Sequence, residues 1–416
     1  MTYRARTVDK PLDRLLHAMG GVLIEGPRGC GKTSTGLEHA HSSLRLDSSP
    51  QLVELASLNP AELLKGEAPR LIDEWQLAPT LWNVIRHEID DRQLRGQFIL
   101  SGSAAPPEDV TRHSGAGRIA RLRMRPMSLA ESQRSSSEVS LAELSADVQL
   151  SGASPLSYPD LAAEAVRGGW PALLTATASD AVTFNRSYVD DLCSSDIQLA
   201  TGVRHDPVRM RRLLESVARN LASEVTLENL ARDVSADGGH LNPETARTYL
   251  DALTRVFALE ELPAWSVALR SKSRLRTSSK LHLADPALAC AALGIGAERL
   301  AGDPEFFGQV FEAMAIRDIR ALSSAEQGRV YHYRDNTGLE VDAILEYPDG
   351  RWAAVEVKLG STRIPDAEAS LLTLRDNRVD LNRVGPPAFL AIVTGTQYAY
   401  TLPSHVHVIP LGVLGA

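Results

Sequence analysis

Lysine is scarce in this chain. Only six of its 44 basic residues are lysines: Lys10, Lys32, Lys65, Lys272, Lys280 and Lys358. A chain that uses arginine by default and still places a lysine has a use for a compact, titratable ammonium. Cysteine is scarce too. Cys30, Cys193 and Cys290 are odd in number and far apart, which argues against a disulfide framework or a thiolate metal site and suggests a reducing cytoplasm. No run of 18 apolar residues occurs, so no membrane-spanning helix is expected. The first twenty residues lack an apolar core followed by a small-residue cleavage site, so no secretion signal is expected either. Basic excess is also missing. The formal net charge is −8, so contact with nucleic acid would have to rest on a local patch.

What is present is 416 residues, 44 % hydrophobic and 23 % charged. That is enough for two to four globular domains. The stretch that organises them is GPRGCGKTS: Gly26, Pro27, Arg28, Gly29, Cys30, Gly31, Lys32, Thr33 and Ser34. It follows the apolar run Gly21–Ile24 and precedes a helix-compatible segment, the order strand, glycine-rich loop, helix that a phosphate-binding loop needs. The glycines permit positive φ, so successive N–H groups can face phosphate oxygens. Lys32 is placed for the β- and γ-phosphates and Thr33 for Mg²⁺. The cofactors expected are therefore ATP and Mg²⁺.

Further on, Leu71-Ile72 runs into Asp73-Glu74. In nucleotide-binding α/β sheets ligands sit at the carboxyl ends of strands. Asp73 is then placed to hold Mg²⁺ through water and Glu74 to polarise the attacking water. A further strand, Gln97–Leu100, ends in Ser101, a candidate γ-phosphate sensor. Arg118, after a His/Ser/Gly loop, is a candidate finger stabilising transition-state charge in cis or from a neighbouring subunit. Residues 132–155, rich in Ser and Glu, read as a flexible insertion or linker. From 221 to 262 two helical segments flank an Asp-Gly-Gly turn, and a hairpin follows, a winged-helix pattern. Thr245, Arg247 and Thr248 would face outward on its second helix, with Ala246, Leu250, Leu253 and Phe257 buried. Arg270, Lys272, Arg274, Arg276 and Lys280 make the one concentrated cationic run, suited to phosphate-backbone contact with duplex DNA.

The carboxyl-terminal part carries EVDAILEYPDGRWAAVEVKL, Glu340 to Leu359. Two alternating runs flank Pro348-Asp349-Gly350, a hairpin loop with glycine at its left-handed position. Centred on Asp349, the hairpin pairs Asp342 with Glu356 and Glu340 with Lys358. Alternation puts all four on one face and Val341, Ala343, Val355 and Val357 on the other. Like charges directly opposite destabilise a sheet unless a cation sits between them. That argues for a metal or a nearby cation, as in the carboxylate–lysine order of restriction-endonuclease-like nucleases. Glu312, on a preceding helix, is a possible extra ligand.

Together GPRGCGKTS, LIDEWQLAP, FILSGS, RGGWP, LHLADPAL and EVD…EVK resemble the prokaryotic AAA-type ATP-binding proteins with a carboxyl-terminal domain of unknown function. The resemblance implies nucleotide roles for Lys32, Thr33, Asp73, Glu74 and Ser101. It also implies a metal site at Glu312, Asp342 and Glu356 with Lys358 beside it. The expected fold is α/β: a P-loop ATPase domain over 1–130, a linker and helical region over 131–220, a winged helix over 221–285 and a nuclease-like domain over 286–416. Three functions compete: an ATP-hydrolysing DNA-associated switch, an ATP-gated metal-dependent nuclease, and a non-catalytic nucleotide-sensing regulator with a protein partner or a second copy.

Overall fold

The protein is described by a computed structural model covering residues 3–104, 115–198, 202, 205–235, 242–266 and 278–416. The amino-terminal sheet is built from β1 (Gly21–Glu25), β2 (Ser42–Arg45), β3 (Arg70–Asp73), β4 (Phe98–Gly102) and β5 (Ile119–Arg123). All pair in parallel, in the order β2-β3-β4-β1-β5. The runs GVLI, LI and FIL are continuous because both faces are covered. Val22, Ile24, Leu71 and Ile99 join the core that runs through the whole molecule. Leu23, Ile72 and Leu100 face a separate core with Trp75 and Trp82. In register, Ile24 lies beside Ser101, and Ser101 beside Asp73. The carboxyl ends of three adjacent strands therefore converge where the glycine-rich loop leaves β1.

The segment expected as a flexible linker is not one. Within it β6 (Val139–Ser140) pairs with the last strand of the chain, and β7 (Gly152–Ala153) extends the edge of the carboxyl-terminal sheet. Val139, Leu141 and Leu144 are buried. Their sparse apolar residues are used as pegs into a neighbouring domain, which composition averaged over a window does not register.

Next come helices Tyr158–Arg167, Ala178–Asp191, Pro207–Arg219, Leu227–Ser235 and Pro243–Arg255. The antiparallel pair β8 (Leu259–Leu262) and β9 (Lys280–Leu283) follows. Asn242 caps the Pro243 helix by accepting from Glu244 N at 3.0 Å, with proline in its first turn. Its buried side is Ala246, Tyr249, Ala252 and Leu253. Phe257 is buried beyond the helix end at φ +61°, so the inward stripe is shifted from the one expected.

The carboxyl-terminal sheet adds β10 (Arg329–Arg334), β11 (Glu340–Glu346), β12 (Trp352–Lys358), β13 (Leu390–Thr394), β14 (Tyr398–Thr401) and β15 (Val406–Pro410), while β16 (Leu414–Gly415) pairs with β6. Its order is β10-β11-β12-β13-β15-β14-β7. Helix Pro304–Ser324 packs on one face and helix Ile364–Thr373 on the other. From Ala343 opposite Val355 to Glu346 opposite Trp352 the hairpin register is as expected, with Gly350 at φ +88°, but the paired ladder stops short of the expected Asp342–Glu356 and Glu340–Lys358 pairs. Val341 departs from the expected face. It packs with Ile344 and Ala354, opposite Ala343, Val355 and Val357, because the β10–β11 ladder slips by one residue between Tyr331 and Tyr333.

Glu260 on β8 clamps this middle region to the first sheet. It accepts from Arg125 Nε at 3.0 Å and faces Arg320 Nη1 at 3.2 Å. Burial alone would raise its pKa, but Arg125, Arg320 and Arg123 outweigh it and hold the carboxyl at about 2. A carboxyl held below its unfolded value contributes stability above pH ~4.5 that is lost as pH falls toward 2, about 3 kcal/mol in all. The expected result is a melting temperature that drops through that window, with a flatter slope in Glu260→Gln.

Candidate nucleotide site and carboxylate–lysine cluster

The loop after β1 is wrapped tightly. Gly29 and Gly31 sit at φ +75° and +107°, values that disfavour any side chain. A Cβ on Gly26 would lie 2.1 Å from the Met124 carbonyl oxygen. Helix Lys32–His39 starts directly behind the loop, so its unpaired N–H groups add to the anion-facing surface. Lys32 is 5 % exposed. Its ammonium donates to the carbonyls of Gly26 at 2.9 Å and Pro27 at 2.8 Å. An ammonium held by weak neutral acceptors inside a loop of N–H donors is poised to exchange them for phosphate oxygens.

Thr33 Oγ1 donates to Asp73 Oδ1 at 3.0 Å, and Ser101 Oγ donates to the same oxygen. Asp73 is 1 % exposed. Its Oδ2 accepts no hydrogen bond, with Arg45 Nε at 3.7 Å. A buried carboxylate oxygen left without a hydrogen-bond donor, beside a hydroxyl from the phosphate loop, fits a divalent cation. Thr33 and Asp73 would hold that ion. When bound, it would neutralise charge between the β- and γ-phosphates. Glu74 follows with φ +53° and ψ +42°. Such a left-handed non-glycine residue costs of order 1 kcal/mol. It is held there by Gln76 Nε2 and by Ser103 Oγ, the latter at 3.4 Å.

Two cavities flank the loop. One, about 610 Å³, is lined by Tyr3, Arg6, Gly31, Thr35, Met127 and Pro171 among others. The other, about 350 Å³, includes Arg28, Glu74, Gln76, Ser103, Tyr188 and Asp196. Three residues that sequence reading missed strap the loop between them. Arg6 donates to Cys30 O at 2.8 Å, to Arg125 O at 2.8 Å and to Glu131 at 2.9 Å. Tyr188 donates to Arg28 O at 3.1 Å, and Asp196 pairs with Arg28 at 2.7 Å. Nothing in the local sequence marks them, since each acts across more than twenty positions. Cys30 is fully buried and serves as a small filler. Arg118 is not at this site. It pairs with Asp90 at 2.9 Å beside the amino end of β1, a strand length of roughly 16 Å from the loop, so a role in cis does not hold.

The carboxyl-terminal candidates do converge. Lys358 Nζ lies 3.2 Å from Asp342 Oδ2 and 2.5 Å from Glu356, and Asp342 Oδ2 also accepts from Val357 N at 2.8 Å. A second ammonium enters from β9. Lys280 Nζ is 2.7 Å from Glu340, 3.1 Å from Glu312 and 3.8 Å from Asp342 Oδ1. Burial works against the charge of Asp342, but Lys358 and Lys280 outweigh it and keep its pKa below the ordinary value. Burial and then Asp342 push Glu312 up to about 7 and Glu356 well above its ordinary value. Among the described residues, no group of three or more His, Cys, Asp or Glu is arranged to hold a metal ion.

Comparison with known proteins now bears on the first site. Residues 20–133 match the model of an AAA domain. That amino-terminal region is similar to AAA domains. Residues 158–299 and 307–414 match two domains of unknown function, DUF8612 and DUF4143. The chain is 28 % identical over 426 residues to uncharacterized proteins of Mycobacterium tuberculosis and Mycobacterium bovis, covering 99 % of this chain and 84 % of theirs. A Walker-type ATPase of Pyrococcus abyssi is 13 % identical with a TM-score of 0.44, covering 70 % of this chain and 96 % of that one.

Beyond the amino-terminal region, Arg247 and Thr248 are exposed on the Pro243 helix, as expected, whereas Thr245 is half-buried rather than facing outward. Arg270, Lys272, Arg274 and Arg276 lie outside the described residues. No helix among the described residues is long and apolar enough to cross a membrane.

Proposed function

We propose that the chain is a Mg²⁺-dependent ATPase whose nucleotide state is passed to a DNA-associated middle and carboxyl-terminal region. The observation that carries the ATPase reading is the shared Asp73 oxygen. Thr33 from the phosphate loop and Ser101 from the neighbouring strand meet on it, while Asp73 Oδ2 accepts no hydrogen bond. In this reading Lys32 and the loop amides bind the triphosphate, Ser101 registers the γ-phosphate through Asp73, and Glu74 orients the attacking water. The cavity beside Thr35 receives the nucleoside. Arg118, at the far edge, would act only on a neighbouring subunit's nucleotide.

The DNA half rests on the helix, helix, strand-pair order, on exposed Arg247 and Thr248, and on the cationic run 270–276. We assign no cleavage to the carboxyl-terminal cluster, for the reason given below. The test is ATP turnover with and without duplex DNA, at several salt concentrations. Turnover should require Mg²⁺ and fall about 10²-fold or more in Asp73→Asn. Duplex binding should weaken steeply with salt, and less steeply in Arg247→Ala. No turnover with Mg²⁺ present would refute the ATPase reading, and turnover without a divalent ion, or undiminished in Asp73→Asn, would refute the metal's place in it. Salt-independent duplex binding would refute the DNA reading.

A further inference from the structure

The nuclease-like order of the carboxyl-terminal hairpin implies a divalent metal held by Glu312, Asp342 and Glu356. The residues are present, and they do not fit one. We infer that Lys280, delivered by the middle-region hairpin β8–β9, is the resident cation of this cluster, and that a divalent metal is excluded from it while Lys280 is in place.

Four observations carry this. The first is position. Lys280 is 3 % exposed and its ammonium lies within 4 Å of Glu312, Glu340 and Asp342 at once. Those three carboxylates come from two separate elements of the carboxyl-terminal domain, the helix Pro304–Ser324 and β11. The second is occupancy. Asp342 Oδ1 faces Lys280, while Oδ2 faces Lys358 and the Val357 amide. A divalent ion needs carboxylate oxygens at about 2.0–2.6 Å, and both Asp342 oxygens are already engaged.

The third is charge. Glu312 and Glu340 face the Lys280 ammonium, and Asp342 and Glu356 face the Lys358 ammonium. Each of the four acids therefore already has a cation beside it without a metal ion. The fourth is residue choice. In a chain that carries 38 arginines and six lysines, two lysines meet at one buried cluster. A compact ammonium with three donors can sit among three acids, where a planar guanidinium would demand paired, coplanar acceptors.

The arrangement makes Lys280 an electrostatic pin between the middle region and the carboxyl-terminal sheet. Removing it would leave buried carboxylates facing each other, a condition that recruits a cation. The experiment is a manganese titration of the full-length, nucleotide-free chain by calorimetry or electron paramagnetic resonance. Each protein is compared with its Asp342→Asn derivative, so that only Asp342-dependent binding is counted.

The unaltered chain should show no Asp342-dependent site. Lys280→Met should gain one per chain, and Lys280→Arg, which keeps a cation, should gain none. Should Lys280→Met be poorly folded, manganese should raise its melting temperature but not that of the Lys280→Met, Asp342→Asn protein. An Asp342-dependent site in the unaltered chain overturns the inference. So does a folded Lys280→Met protein that neither binds manganese nor is stabilised by it. ATP turnover is read separately through Lys32→Ala, so either reading can fail alone.

Discussion

Lys32→Ala and Glu74→Gln should both abolish ATP turnover, and for different reasons that binding measurements separate. In the nucleotide-free protein Lys32 spends its ammonium on two loop carbonyls. With a triphosphate in the loop those neutral contacts are exchanged for charged ones. A hydrogen bond to a charged group is worth about 1.5–3 kcal/mol, so Lys32→Ala should weaken ATP affinity by about 10- to 100-fold. Loss of a cation that stabilises charge as the γ-phosphate departs adds about 10²–10³ in kcat. The Glu74 carboxylate accepts from Gln76 and Ser103, neither of which belongs to the phosphate loop. Glu74→Gln should therefore leave nucleotide affinity within a few-fold while cutting kcat by about 10²–10⁴, the range for removing a positioned base. A fluorescent nucleotide titration and a phosphate-release assay on each variant decide it. Equal loss of affinity in both would put Glu74 in the binding site rather than beside the attacking water. Undiminished turnover in either would remove it from the reaction.

The phosphate loop was legible in the sequence because its chemistry is local. Gly26 to Ser34 carry their own backbone requirements and their own charge, and the strand before them and helix after them are periodic. Asp73, Glu74 and Ser101 were legible for a related reason: each ends an apolar run, and a parallel sheet aligns such ends. The hairpin register around Asp349 was legible because Gly350 fixes the turn and alternation does the rest.

What was not legible depends on distance. Arg6, Tyr188 and Asp196 reach the loop from helices and an amino-terminal arm that share no pattern with it. Lys280 belongs by sequence to the cationic run, because its neighbours there are basic. Its spatial neighbours are acidic, and only the β8–β9 pairing reveals that. The Ser-rich stretch 132–155 misled because two-residue strands carry no periodicity, so β6 and β7 have no signal apart from the strands they pair with. Scarcity of lysine was the more reliable clue: Lys32, Lys280 and Lys358 all lie in the two charged sites.

Arg317→Met should destabilise the fold strongly, and its cause lies in RGGWP and LADPAL, motifs with no assigned chemistry. Arg317 is 5 % exposed. It bonds Asp285 at 2.8 Å and Asp318 through two nitrogens, at 2.9 and 2.7 Å. Asp285 accepts in turn from Gly169 N of RGGWP and Ala287 N of its own helix, both at 2.9 Å. Asp318 accepts from Leu129 N, at the end of the AAA domain, at 2.9 Å. One guanidinium thus neutralises two buried carboxylates that satisfy backbone amides from three segments. Gly169 must be glycine there, since a Cβ would lie 2.1 Å from Met127 O. Removing one partner of a buried ionic network leaves uncompensated charge and costs about 3–5 kcal/mol. Because the network joins the AAA domain to the rest, the expected calorimetric result is an earlier transition and a split one, with the AAA part melting apart from the carboxyl-terminal sheet. Arg317→Lys, which keeps the charge but loses the fork, should fall between. A melting profile for Arg317→Met that overlays the unaltered protein would show that the triad is dispensable and that the domains are held by their apolar contacts alone.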